Sequence, residues 1–297
     1  AYINFVSAAS SVAVLSDRGT AAIPLEFGWG PEKEAFIVTA QDYQERCQEI
    51  FGYPADAPQM WQVRELFRNL MKGIFYRLNG GVKAACDYGQ AKYSGVRGKD
   101  LMLVISANVD DSTKFDVKTI LDKKEVDRQT VAAASELKDN LYVVFKKDAT
   151  LVATAGIPFT GGTNGEAVNG EDYAQFLAKM ESYTFQTLCC PSMDDAVKAV
   201  FTEYTRRMRD EAGVKFQTVV YRMADADYEG IISVENKAAE LEQGLVYWTC
   251  GVQAACAVNK TNENRVYDGE LTVDVDYTQE QLARAVRSGK FMFHRVG

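Results

Sequence analysis

The chain has 297 residues, a formal net charge of −8 and 47% hydrophobic residues. This acidic balance argues against a nucleic-acid binder that neutralises phosphates, and no apolar run approaches the roughly 20 residues of a membrane-spanning helix. The length allows a large core and predicts roughly two domains. Residues 1–5 lack the basic-then-apolar order of a secretory signal, and because the chain does not begin with Met, we expect that something has been removed.

The chain begins with an extended arm and then alternates between strands and helices. Residues 1–15 place Ile3, Phe5 and Val6 among small and polar residues, which is typical of a loose end or of a strand that pairs with a sheet elsewhere. The elements predicted next are a strand at 20–27, which Pro24 makes an edge or an end, a strand at 36–38, a helix at 39–51 capped by Thr39, a long helix at 58–79 and a strand at 82–86.

The middle of the chain predicts a small antiparallel module. After a strongly apolar strand at 101–105, short β-like runs separated by charged turns occur at 115–121, 125–131, 141–145 and 150–154. Four such runs in so short a stretch favour an antiparallel β module. We therefore predict an inserted β-rich domain at 107–154, which projects from one main domain formed by 16–106 and 155–297.

Residues 159–234 contain the clearest α/β unit. Ser192 predicts the N-cap of its long helix and Gly213 a left-handed end, while Arg206, Arg207 and Arg209 gather in the last turns, where the helix dipole favours cations. The predicted elements are a glycine-rich turn at 160–165, a helix from 171, a strand at 184–190, a helix at 192–211 and strands at 214–221 and 230–234. This alternation indicates a mostly parallel sheet with packed helices.

The last part of the chain continues the same pattern. It predicts a buried helix at 238–259, which is apolar almost all round, a half-exposed strand at 271–277, a helix at 278–287 and the start of a strand at 291–293. The whole chain is thus predicted to be α+β or α/β, with a mixed sheet, packed helices and an inserted small antiparallel β domain.

The chain carries no motif of a reaction centre. Its single histidine, His294, is the fourth residue from the end, and we interpret it as a surface residue. No phosphate-binding loop or nucleophile elbow occurs, and acidic pairs lie in turns or at a helix start. The six cysteines lack zinc-site spacing, so we interpret them as reduced, mostly buried residues of a cytosolic product. We predict no catalytic, cofactor-binding or metal-ligating residues, no cofactor, and a structural or binding protein rather than an enzyme.

Four glycine-punctuated segments are informative through their order and spacing. They are Ser10-Ser11-Val12 with Arg18-Gly19 and residues 25–31, then residues 93–101, then residues 160–165 followed by Tyr173, and lastly residues 277–279 through 289–291. Over nearly the whole chain they resemble the contractile tail sheath proteins of phages and phage-derived particles, especially the form found in prophages of Gram-positive bacteria. The second segment departs from the family, which commonly has Pro-Gly and Trp-Gly-Asn where Ser94-Gly95 and Arg97-Gly98-Lys99 stand here.

The resemblance implies a mechanism without chemistry. Sheath subunits of that family stack in rings around a rigid tube, and a baseplate trigger shortens the sheath so that it drives the tube through a target envelope. Extended terminal arms link subunits by adding strands to neighbouring sheets, and residues 1–15 fit such an arm. The partners implied are other copies of the chain, the tail tube, and the baseplate and terminator proteins, with no nucleic acid and no membrane insertion.

The same resemblance implies a place and a set of contacts. The protein is expected in a virion tail or a phage-tail-like particle, assembled in the cytoplasm of a bacterial host. Candidate subunit contacts are Ile3, Phe5 and Val6 in the arm and the three arginines Arg206, Arg207 and Arg209. The inserted β domain is expected to point outward. The alternatives are an α/β enzyme that binds a small ligand near residues 161–165 or 95–98, and another tail or baseplate protein.

Overall fold

The computed structural model describes residues 18–295, so the predicted arm with Ile3, Phe5 and Val6 lies outside the described residues. Within 18–295 the strands are β1 (Thr20–Leu25), β2 (Ala35–Thr39), β3 (Lys72–Arg77), β4 (Ala85–Cys86), β5 (Gly89–Ala91), β6 (Leu101–Ala107), β7 (Phe115–Leu121), β8 (Lys124–Val131), β9 (Val143–Phe145), β10 (Thr154–Pro158), β11 (Thr187–Cys189), β12 (Gln217–Tyr221) and β13 (Ile231–Val234). The α-helices of the same residues are α1 (Ala40–Phe51), α2 (Trp61–Phe67), α3 (Gly170–Met180), α4 (Asp195–Arg206), α5 (Leu245–Ala255) and α6 (Gln279–Arg287).

A mixed six-stranded sheet forms the centre of the molecule, in the order β13-β12-β11-β1-β3-β2. Five strands are parallel, and β2 at one edge is antiparallel to β3. Helices α1, α2 and α5 pack on one face of the sheet, and α3 and α4 pack on the other. This three-layer arrangement buries both faces, which is the usual state of a largely parallel sheet. The predicted fold class is confirmed.

A second unit, which we call the β module, consists of β4 to β10. Its four-stranded sheet has the order β10-β6-β7-β8 and its three-stranded sheet the order β4-β5-β9, all antiparallel. Both sheets share one apolar core, which Trp29 from the α/β part also enters. The strands paired here extend beyond residues 107–154, since β6 begins at Leu101 and β10 ends at Pro158.

Local signals correctly predicted several helices. Thr39 caps α1 in a capping box, in which its hydroxyl accepts from the Asp42 N–H at 3.0 Å and the Asp42 carboxylate accepts from the Thr39 N–H at 3.1 Å. Thr278 caps α6 in the same way. The prediction for α4 is wrong in detail, because Asp194 rather than Ser192 is the N-cap and accepts from the Ala196 N–H at 2.8 Å.

The predicted edge position of the first strand is wrong, because β1 lies in the middle of the sheet. Proline fits there because of the direction of its nitrogen. The Leu25 carbonyl accepts from Leu78 N on the β3 side, and the Thr20 carbonyl accepts from Gln186 N on the β11 side. Since these directions alternate along a strand, Pro24 faces β11, whose pairing with β1 ends at Ala22 and Leu188. No ladder donor is therefore needed at Pro24.

The predicted long helix at 58–79 is also wrong. Helix α2 ends at Phe67, and the chain then enters β3 at Lys72. The apolar stripe was continuous because Ile74 and Phe75 are buried on opposite faces of the central sheet, one in each core. A short apolar run of this kind cannot be assigned to helix or strand from periodicity alone.

Several further boundaries differ from the sequence predictions. The predicted helix at 238–259 begins only at Leu245, although its buried character is confirmed. Residues 271–277 and 291–293 are not strands; each forms a single bridge, Ala238 with Val273 and Val234 with Phe291. The predicted strand at 82–86 is reduced to β4, and that at 150–154 is displaced to β10.

Candidate assembly surfaces

Residues 18–295 include the histidine, the six cysteines and most of the acidic side chains considered above. No group of three or more His, Cys, Asp or Glu side chains among them is placed to hold a metal ion. His294 is exposed. Burial raises the pKa of Cys190 to about 12, so this thiol stays protonated near neutral pH. Across the same residues no helix is both long and apolar enough to cross a membrane.

The glycine turns, considered above as an alternative ligand site, instead form the domain junction between the α/β part and the β module. We define this junction by the turns at residues 27–30, 79–81, 93–98 and 160–165. A Cβ on Gly95 would lie 2.0 Å from the Gly28 carbonyl oxygen, and one on Gly81 would lie 1.9 Å from that of Thr163. Backbone from one turn therefore occupies the space beside the next, which explains the glycines by packing.

Two buried polar side chains from β3 and its end tie the junction together. The Asn79 side chain accepts from Phe27 N at 2.8 Å and donates to the Phe27 carbonyl at 2.9 Å. The Arg77 guanidinium donates to the carbonyls of Gly30 and Ser94 at 3.0 and 2.9 Å. Burial lowers the pKa of Arg77. These bonds satisfy turn carbonyls that have no ladder partner.

Arg97 forms the main ionic contact of the domain junction. Its guanidinium donates to the Gly52 carbonyl at 2.6 Å, pairs with Asp100 and Asp122 at 2.8 Å, and lies 4.5 Å from the Tyr53 ring centre. The hydrogen bond from Arg97 holds the pKa of Asp122 below its usual value. Asp122 belongs to the β7–β8 turn, so this contact joins the β module to the end of α1. The sequence offered only a charged residue inside a glycine turn as a signal for it.

The three arginines at the end of α4 have different environments. A π-helical turn, residues Arg207–Glu211, continues the helix and turns Arg209 inward, where it donates to the Phe216 carbonyl at 2.6 Å and pairs with Glu229. Arg206 donates to the Ala226 carbonyl at 2.5 Å. Arg207 is exposed and pairs with Glu181 at 2.5 Å. Arg207 is thus the member of this group with a solvent-facing guanidinium, and their role as subunit contacts stays a prediction.

The two edges of the six-stranded sheet are covered to different degrees. Within residues 18–295, β2 has no strand on its outer side. At the opposite edge, Phe291 bridges to the end of β13, and its carbonyl accepts from Glu235 N at 3.3 Å. An uncovered edge presents free backbone donors and acceptors, so it is a natural place for strand addition.

Two buried polar side chains anchor the C-terminal segment, which we define as residues 257–295. The fully buried Glu65 carboxylate accepts from Tyr267 Oη at 2.8 Å and from Glu270 N at 2.6 Å. Burial raises the pKa of Glu65, although these hydrogen bonds oppose the shift. Asn236, also fully buried, donates to the carbonyls of Asp274 and Phe293, both at 2.8 Å, and accepts from Phe293 N at 2.7 Å. Sequence reasoning missed both anchors.

Two shallow cavities lie on the surface of the described residues. One of about 410 Å³ lies where the C-terminal segment crosses the approach to α5, and its lining consists of Lys237, Ala238, Ala239, Glu242, Thr272, Val273 and Asp274. The other, of about 260 Å³, borders the domain junction and is lined by Glu26, Phe27, Gly28, Asn79, Asn164, Gly165, Glu166 and Ala167.

Comparison with known proteins gives matches along the chain. Residues 79–164 match the phage tail sheath protein beta-sandwich domain, and residues 166–297 match the phage tail sheath protein central domain. The phage-like element PBSX protein XkdK of Bacillus subtilis (strain 168) is 33% identical over 323 aligned positions, which cover 98% of this chain and 68% of that protein.

Solved structures agree. The crystal structure of a sheath tail protein from Desulfitobacterium hafniense is 36% identical with a TM-score of 0.87, covering 100% of this chain and 72% of that one. A sheath tail protein from Listeria innocua is 35% identical with a TM-score of 0.84, covering 95% of this chain and 66% of that one.

Proposed function

The chain belongs to the phage tail sheath protein family, and we propose that it polymerises around a tail tube and contracts to drive that tube through a target cell envelope. The observation that carries this proposal is the structural match at a TM-score of 0.87 over the entire chain. A structural tail sheath role accounts for the buried polar side chains described above. They bond to turns of the domain junction and to the C-terminal segment rather than face a ligand-binding cleft.

The proposed partners follow from that role. They are further copies of the chain in a helical or ring-stacked lattice, the tail tube protein, and the baseplate and terminator proteins. The particle is a phage tail or a phage-tail-like particle, and we propose that it assembles in the cytoplasm of a bacterial host. The exposed Arg207, in the π-helical turn that follows α4, is the arginine of this group best placed to meet an acidic patch on a neighbouring copy.

Electron microscopy of the purified protein tests this function directly. Regular tubes or stacked rings are the expected result. Persistent monomers whose stability rises on addition of a small ligand would instead favour an α/β enzyme.

The arm supplies the proposed link between subunits, since extended arms add strands to neighbouring sheets. Deletion of residues 1–15 should leave a folded monomer that forms no tubes. The double variant Ile3→Lys/Phe5→Lys should have the same effect through charge alone. Normal tubes from either variant would contradict the proposal.

The β module is proposed to point outward, away from the packed lattice. Val109 lies in the β6–β7 turn and is 95% exposed. Val109→Ser should therefore leave tube length and yield unchanged by electron microscopy. Loss of polymerisation would show that this surface lies in a subunit contact instead.

A further inference from the structure

The dipeptide Asn-Gly occurs three times in the chain, beginning at Asn79, Asn164 and Asn169. Asparagine is a thermolabile residue. A following glycine makes it more so, because glycine has no Cβ that would keep its nitrogen away from the preceding side-chain amide. The three copies have the same chemistry but lie in different surroundings, so the structure decides which of them reacts.

The reaction needs neither an enzyme nor an oxidant. The glycine nitrogen attacks Cγ of the asparagine and forms a C–N bond, while the bond from Cγ to Nδ2 breaks. Ammonia leaves and carries away the proton of the glycine amide. Water then opens the cyclic imide, which gives either aspartate or isoaspartate. The step requires a side-chain amide that can turn towards the next nitrogen and a backbone that can rotate.

The surroundings of Asn79 oppose this reaction. Asn79 is only 6% exposed, and its Oδ1 accepts from Phe27 N at 2.8 Å. Its Nδ2, the group that would leave, donates to the carbonyls of Phe27 and Asn164 at 2.9 and 3.2 Å. The amide therefore cannot turn towards Gly80 until all three hydrogen bonds are broken.

Asn164 is exposed, but close packing fixes its turn. Its Oδ1 accepts from Val96 N at 3.0 Å. Gly165 has a φ of +74°, and a Cβ built on it would lie 2.6 Å from the Gly80 carbonyl oxygen. Rotation of this backbone would push one turn of the domain junction into another, so ring closure has to wait until the junction opens.

Asn169 is exposed and lies outside the domain junction. A Cβ built on Gly170 would meet no atom within 4 Å. Gly170 is the first residue of α3, so its N–H has no acceptor within the helix. Asn169 Oδ1 accepts from Glu171 N at 2.8 Å and also from Asp172 N. These donors stabilise the negative charge that develops on Oδ1 during the attack, as in an oxyanion hole.

We propose that Asn169 is a site of spontaneous deamidation, and that the domain junction protects Asn79 and Asn164 from the same reaction. This proposal does not depend on the sheath function. The aspartate product keeps an oxygen acceptor at the N-cap of α3 and adds negative charge where the helix dipole favours it. Formation of aspartate should therefore leave α3 intact.

The isoaspartate product has a different effect on α3. It lengthens the main chain by one carbon atom, whereas the capping box needs Asn169 N within 3.0 Å of the Asp172 carboxylate. Loss of this box loosens the first turn of the helix. Hydrogen exchange at the amides of Glu171 and Asp172 should rise in the isoaspartate fraction and stay slow in the aspartate fraction. Equal exchange in the two fractions would refute this effect.

Peptide mass spectrometry of the full chain, aged at neutral pH, tests the proposal. Deamidation at Asn169 should accumulate about tenfold faster than at Asn79 or Asn164, because the latter two react only after local opening. In denaturant the three sites should react at similar rates, since a glycine follows each asparagine. Equal rates in the folded chain would overturn the proposal. A preference for Asn169 that persists in denaturant would also overturn it, because the flanking sequence would then decide.

Gly170→Ala is the matched variant. The added Cβ hinders the attack on Asn169 Cγ, yet it fits into open space, and alanine suits a helix better than glycine does. Folding should therefore be preserved. Deamidation at Asn169 should fall about tenfold, because fewer conformers bring the two reacting atoms together, while the rate at Asn164 should not change. An unchanged rate at Asn169 would contradict attack by the nitrogen of residue 170.

Discussion

The domain junction and the C-terminal segment are held in place by opposite means. At the junction, backbone lies directly against backbone, and glycines at positions such as 81 and 95 leave no space for a Cβ. In the C-terminal segment no residue is fully buried, and helix α6 buries none of its side chains. Its partly buried apolar side chains pack against the core, and two buried polar side chains from elsewhere, Glu65 and Asn236, bond to its backbone.

This difference predicts two kinds of response to change. A Cβ added at such a close backbone contact cannot be accommodated by a small shift. The interior is densely packed, so relief of the clash must move whole turns. Where single side chains anchor a segment, the loss of stability depends on how many hydrogen bonds are removed, because each contributes about 0.5–1.5 kcal/mol. We therefore expect the domain junction to be rigid, whereas the C-terminal segment can detach while the central sheet stays folded.

The largest effect is expected at the domain junction. Gly95 has a φ of +123° and lies against the Gly28 carbonyl, so Gly95→Ala combines backbone strain with a clash and should lower the free energy of unfolding by about 3–5 kcal/mol. Denaturant unfolding measures this change. Gly161→Ala is the matched control, because Gly161 also has a positive φ, +82°, but open space around it. It should cost only about 1 kcal/mol. Equal losses would show that strain rather than close packing decides.

The next effect is expected at Asn236. Asn236→Ala removes three hydrogen bonds to the C-terminal segment and leaves the carbonyls of Asp274 and Phe293 without this partner, a local loss of about 2–3 kcal/mol. Limited proteolysis should become faster between residues 272 and 293 while exchange of the central strands stays unchanged. The exposed Asn259 provides the control substitution, Asn259→Ala, with no expected change. Global unfolding of the Asn236 variant would contradict the idea of a separately held segment.

A smaller, pH-dependent effect is expected at Glu65. Because its folded pKa is raised by burial, its contribution to stability is full below the ordinary glutamate value of about 4.3 and decreases as the pH rises through the folded pKa. Glu65→Gln has no such titration. The stability difference between wild type and variant should therefore shrink as the pH rises through this window, when unfolding is measured at a series of pH values. A difference that grows with pH would refute this account of Glu65.

The smallest effect is expected at Asp122, with the opposite sign. The Arg97 guanidinium lowers the pKa of Asp122, so the ion pair stabilises above the ordinary aspartate value of about 3.9 and is lost as the pH falls through the folded pKa. Asp122→Asn should cost about 0.5–1 kcal/mol at neutral pH, because Asp122 is partly exposed. The cost should vanish in acid. Asp110→Asn in the exposed β6–β7 turn is the control. A cost that persists at low pH would point to packing instead.

Sequence reasoning succeeded where the residues in contact lie close together in the sequence. The capping boxes at Thr39 and Thr278 join residues three apart, and strands β7 and β8 pair as a hairpin across the two-residue turn Asp122-Lys123. The family resemblance also depended on turn glycines, whose spacing is visible in the chain. Segments such as 58–79 failed because the same apolar residues fit a helix stripe and a buried strand.

The sequence by itself thus determined the class of fold and the capped helices, since these follow from local pattern, and four of its segments resemble those of a structural family. Only the tertiary structure decided that β1 is central despite Pro24, that Arg97 meets Asp122 25 residues away, and that Asn236 holds Phe293 57 residues away. Such contacts depend on which strands become neighbours and on which buried polar groups need partners. Neither is encoded within a window of a few residues, so the junction and the anchors appear only when the chain is folded.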